Sequence, residues 1–214
     1  MPQLLGQDYW GGVCGFVSVI HGILLYKGGD ALDGLTTAEL EYNIGTSLLA
    51  FLKHVKSKPE IADQIVKFTQ AFGGVHAKKN LEQLIMECEL AVKELAKPGA
   101  TGKQTGEDGW GVAMTKDALI EYMKWLGVGC RERTGITMWS QSVLKTCKHC
   151  VVGVGKQADS KNGFGGLRHW VYVNEDGVMY NWGKETVLRD IQDRPYEGYE
   201  DRHNVIVHVL ELTR

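Results

Sequence analysis

The sequence predicts an α+β protein whose sheet is mainly antiparallel. Three observations predict it. Segments of helix period fill the chain as far as Gly127, and short β-branched runs fill the remainder. Two of those runs flank Asn174-Glu175-Asp176-Gly177, a hairpin turn.

Taken in order, residues 14–27 read as a helix that is apolar on nearly all sides, as suits a buried central helix, with Gly28-Gly29-Asp30 as its stop. Thr36 and Thr37 offer N-caps with Glu39 close behind, and Leu40, Ile44, Leu48, Leu49 and Leu52 follow at helical spacing. Pro59 opens another helix, carried by Ile61, Ile65, Val66 and Phe68 and closed by Gly73-Gly74. Asn80 caps a third, with Leu81, Leu84, Ile85, Cys88, Val92 and Leu95 on one stripe up to Pro98-Gly99. Segment 30–98 is therefore mostly helical, and it carries no catalytic constellation. A glycine-rich loop covers 99–111, without the Gly-Lys-Ser/Thr of a phosphate-binding loop. Thr115 caps a helix with Ala118, Leu119, Tyr122, Met123 and Leu126 as its apolar face and Gly127 as its stop. A short helix around 139–147 leads into the apolar strand Val151–Val154. After a glycine-rich turn at 160–166, the strand Trp170–Val173 pairs through the hairpin with Val178–Trp182. Residues 205–212 form a long β-branched strand. Neither a repeat nor a linker interrupts the chain, so residues 1–214 are expected to form one domain with a helical insertion at about 30–98.

Composition narrows the function. A 43% apolar and 23% charged chain with formal net charge −2 has no field for nucleic acid or an anionic membrane. Aromatic residues are not interleaved with a basic patch, and no apolar run reaches the length of a membrane span. The N-terminus lacks a basic segment followed by a full apolar one, so a cytoplasmic protein, or one exported without a signal peptide, is expected. Five cysteines, an odd number, argue against a disulfide scaffold. Cys147-Lys148-His149-Cys150 is a single CxxC with no second pair, which reads as local packing rather than as a metal site. No metal and no cofactor are expected.

The chemistry points to Cys14. It follows Gly11-Gly12-Val13 and heads the first helix, where unpaired N–H groups and the helix dipole favour a thiolate and lower the thiol pKa. Such a nucleophile needs a base and a group to orient it. Of the seven histidines, most read as exposed helix or loop residues, but His169 opens a strand directly after a glycine-rich loop. Asn181 lies 12 positions later (181 − 169), where the hairpin brings it close to facing His169, and Trp182 can cover the pair from water.

This order resembles the papain-like cysteine peptidases. Gly12-Val13-Cys14-Gly15-Phe16-Val17-Ser18, His169-Trp170-Val171 and Asn181-Trp182-Gly183 follow one another as the cysteine, histidine and asparagine segments do in that superfamily. The layout of 139–182 looks closest to compact bacterial members such as bacteriocin-processing peptidases, although Asn181-Trp182 stands where those more often carry Asp-Pro. The resemblance covers roughly 7–27 and 115–183 and leaves segment 30–98 outside. It implies a papain-like fold, with a central N-terminal helix packed on the sheet and Cys14, His169 and Asn181 as a triad. It also implies an oxyanion donor ahead of the cysteine. Gln7 is the candidate, seven positions before Cys14 (14 − 7) and one further than usual, with Gln3 or a backbone donor as alternatives. The implied activity is hydrolysis of an amide or peptide bond, in a bacterial effector toxin or an intracellular enzyme acting on protein, peptide or peptidoglycan. A toxin of that kind would be met by a cognate inhibitor or immunity protein. The alternatives are an acyltransferase or transglutaminase-like enzyme with the same triad, and a non-catalytic interaction module that keeps the fold.

Overall fold

In the computed structural model, the described residues are 12–26, 35–100, 111–137, 139–159, 161, 163–181, 183–188 and 203–213. Six α-helices lie among them: α1 (Cys14–Tyr26), α2 (Thr37–His54), α3 (Pro59–Gln70), α4 (Leu81–Leu95), α5 (Lys116–Trp125) and α6 (Gln141–Thr146). Their starts are chemical. Thr36 Oγ1 accepts from Glu39 N–H while the Glu39 carboxylate accepts from Thr36 N–H at 2.7 Å, a reciprocal cap for α2. Asn80 and Gln83 exchange the same pair of bonds ahead of α4, both at 2.9 Å. Thr115 and Ser140 cap α5 and α6 through their hydroxyls, and Pro59 sits in the first turn of α3. The predicted stop at Gly28-Gly29-Asp30 and most of the loop 99–111 lie outside the described residues.

The sheet has six strands: β1 (Gly129–Glu132), β2 (Cys150–Gly155), β3 (Leu167–Val173), β4 (Val178–Asn181), β5 (Lys184–Val187) and β6 (Val205–Thr213). They lie in the order β1-β6-β2-β3-β4-β5, with every neighbouring pair antiparallel. The mixed α+β class and the antiparallel sheet agree with expectation. Two edge strands were not predicted. β1 (Gly-Cys-Arg-Glu) and β5 (Lys-Glu-Thr-Val) are short and mostly exposed, so neither carries an apolar alternation. β3 also starts earlier than predicted, so His169 lies inside the strand rather than opening it.

Both faces of the sheet are covered, which is why β2 reads as an unbroken apolar run and is buried throughout. On one face Val151, Trp170, Tyr172, Tyr180, Leu210 and Leu212 join a core shared by α1 to α5. On the other, Val152, Val154, Val171, Val173 and Val209 pack with Trp139, Leu144 and Leu188. Helix α1 lies close against β3. A Cβ at Gly15 would meet the Trp170 ring at 3.2 Å, and one at Gly22 the Tyr172 ring at 3.2 Å. No described helix is long and apolar enough to cross a membrane.

Candidate active site

Cys14 begins α1 and is only 8% exposed. Its loop is fixed by Gly12, whose φ of +73° and whose 2.7 Å clearance between a built Cβ and Val112 O leave room for no side chain. The thiol donates to Gly12 O at 3.8 Å, and the nearby backbone N–H groups of Trp170, Gly15 and Cys14 itself pull its pKa down. Those donors favour the thiolate, as the helix start led us to expect. Burial opposes them and wins, pushing the thiol up to about 11. The expected fall in the Cys14 pKa is therefore corrected to a rise.

His169 and Asn181 come together. Backbone pairing of β3 with β4 covers only Tyr172–Tyr180 and Val173–Met179, a register that sets Asn181 diagonal to His169 rather than opposite it. Beyond that pairing the side chains make the link, with His169 Nε2 to Asn181 Oδ1 at 2.7 Å. A carbonyl oxygen only accepts, so Nε2 carries the hydrogen and Nδ1 of the neutral ring carries the lone pair that a base needs. Burial lowers the His169 pKa to about 4, against the upward pull of Asn181. The resting pair is thus a neutral thiol and a neutral imidazole. Among the described residues the acceptor for the thiol is Gly12 O rather than the imidazole, and the start of α1 meets β3 at Trp170, the residue after His169, whose ring packs on Gly15.

Trp170 pins this corner. Its indole N–H donates to Met114 O at 2.9 Å, its face stacks on His208 at 6.0 Å, and its edge lies on Gly15. Gln7 and Trp182, the expected oxyanion donor and cover, lie outside the described residues.

No protein-family model, curated protein or solved structure matches this chain. The papain resemblance accordingly rests on the three short segments around Cys14, His169 and Asn181.

The sequence reading missed His203. Taken with most histidines as exposed, it is 4% exposed, with its ring 5.6 Å from that of His169 and 6.1 Å from Trp139. The available signal was a polar pair, His203-Asn204, directly before a β-branched strand. His21 and His149 are likewise buried rather than exposed. His149 adopts a φ of 54° and its Nδ1 meets Tyr172 OH at 2.8 Å. The neighbouring Cys147 and Cys150 thiols are buried and donate to backbone oxygens of Val143 and Lys148. Among the described residues no cluster of three or more His, Cys, Asp or Glu could hold a metal ion.

Proposed function

We propose that this chain is a cysteine hydrolase that opens an amide or peptide bond, with Cys14 as nucleophile, His169 as base and acid, and Asn181 orienting the imidazole. The observation that carries this reading is the 2.7 Å bond from His169 to Asn181, one residue before Trp170, whose ring packs on Gly15 next to Cys14. In the proposed reaction Nδ1 of His169 takes the thiol proton as sulfur attacks the carbonyl carbon. The carbonyl electrons move to oxygen, which faces the backbone N–H of Cys14. The imidazolium returns the proton to the departing amine as the C–N bond breaks, leaving a thioester. Water, deprotonated by His169, releases the acid and restores the thiol.

Burial holds the resting pair neutral, so proton transfer accompanies attack instead of preceding it. The test is cleavage of an amide substrate by the wild type, Cys14→Ala and two Asn181 variants. Cys14→Ala should lose hydrolysis entirely; retained hydrolysis would end the reading. Asn181→Ala should cost about tenfold or more in kcat/KM, because it strands a buried N–H. Asn181→Asp sets a carboxylate against Nε2–H and raises the imidazole pKa, so the acid limb of the kcat/KM profile should move to higher pH.

A further inference from the structure

Three stretches far apart in sequence meet around the Cys14 loop. Thr69 Oγ1 accepts from Ala113 N–H at 2.9 Å, tying the last turn of α3 to segment 112–115. Val112 O in turn abuts Gly12, whose own carbonyl holds the Cys14 thiol. Further along the same helix end, Phe68 packs on Phe164 at 4.6 Å and on Phe72 at 5.5 Å between ring centroids. Beside these rings lies a cleft of about 440 Å³ lined by Phe68, Ala71, Phe72, Asp159, Leu167 and Arg168. Arg168 directly precedes His169, and Phe72 also lines the small hollow against Gly12 and Ala113. Phe72 thus stands between this cleft, which includes the residue before His169, and the hollow beside Gly12.

Its wall is aromatic and half in water. Phe68 is 4% exposed but Phe72 is 51% exposed, so one large ring of the wall faces an open space of ligand size. Arg168 and Asp159 form an ion pair at the rim, which neutralises the charges there and gives a charged ligand group no uncompensated partner.

We infer that this cleft is a substrate subsite that takes a large apolar, best aromatic, side chain of an extended peptide against Phe68, Ala71 and Phe72. The inference rests on the hydrolase reading and deepens it. It also gives the helical segment a task, because the aromatic side of the cleft, Phe68, Ala71 and Phe72, lies outside the segments that carry the papain resemblance.

The test uses acetylated octapeptides, alanine elsewhere, with Phe, Leu, Gly, Asp or Lys moved through each position. Cleavage is followed with the wild type, and binding is followed by amide chemical shifts in Cys14→Ala. At one position Phe should be preferred over Gly by about tenfold or more. Phe72→Ser should lose that preference, Phe72→Trp should keep it, and Val187→Ala, an exposed apolar residue on β5, should leave it intact. Equal thermal melts exclude misfolding as the cause. Cleavage with no preference dependent on Phe72 overturns the subsite and spares the hydrolase. If the wild type cleaves nothing, yet Cys14→Ala binds the Phe peptide with shifts at Ala71, Phe72 and Arg168 that Phe72→Ser removes, the subsite stands and the hydrolase reading falls. Neither cleavage nor binding overturns both.

Discussion

Burial sets the charge state of the polar side chains beside the sheet. His21 on α1 is 1% exposed, lies 5.9 Å from the Tyr180 ring, and neither ring nitrogen has a partner among the described residues. Burial alone lowers its pKa from 6.5 to about 4, as it does for His169. The unfolded chain thus takes up these protons first as pH falls. Stability is complete above about pH 6.5 and is lost progressively toward pH 4, at about 2 kcal/mol per histidine by pH 5. His21→Phe should remove its share. Urea unfolding at pH 7 and pH 5 should show the wild type losing about 2 kcal/mol more than the variant between the two. An equal loss would clear His21 of the effect. The same desolvation explains Cys14, where a helix start that favours the thiolate is outweighed by the packing around it.

At the scale of elements, a bulge sets Leu167 and His169 on opposite faces of the sheet. β2 pairs Val154 with His169 but Gly155 with Leu167, so Arg168 is an extra residue in β3. Alternation would have put Leu167 and His169 on one face. Instead Leu167 joins Trp170 and Tyr172 against the helices, and His169 faces the other way with Val171, toward His203 and Asn181. Gly155 permits this, because a Cβ there would collide with the backbone carbonyl of Gly166. Gly155→Ala should therefore destabilise by about 3 kcal/mol and lower hydrolysis more than a variant of equal stability elsewhere. Chemical denaturation read alongside kcat/KM separates the two effects. Normal values for both would mean that the bulge relaxes without moving His169.

Over the whole molecule, the helices of 35–98 share their core with α1. Phe16 of α1, Phe51 of α2 and Tyr122 of α5 form a cluster of edge-on rings with centroids 4.8 to 6.1 Å apart. All three are fully buried. Unfolding should therefore be a single transition, coincident by far-ultraviolet dichroism, which reports the helices, and by tryptophan fluorescence. Phe51→Ala should cost about 3–5 kcal/mol and shift both probes together. Two separated transitions would make the helical segment an independent unit.

Caps, turns and helix faces were legible because each depends on residues within a few positions of one another. The Thr36 cap with Glu39, the Asn80 cap and the turn at 174–177 formed as read, and the structure adds Gln83 as the partner of Asn80 and Asn174 as acceptor from Asp176 and Val178. The His169–Asn181 pair was legible for the same reason, since one tight hairpin joins the two. The edge strands β1 and β5 were not, because partners across the sheet make them strands. By itself the sequence determined the α+β class, the helix starts, and the meeting of His169 with Asn181 across one hairpin. Only the tertiary structure decided that Cys14 and His169 rest neutral, that a bulge sets Leu167 and His169 on opposite faces, and that Phe72 lines a cleft with Leu167 and Arg168. Desolvation and clefts are sums over atoms from segments remote in sequence, and those sums exist only once the chain has closed on itself.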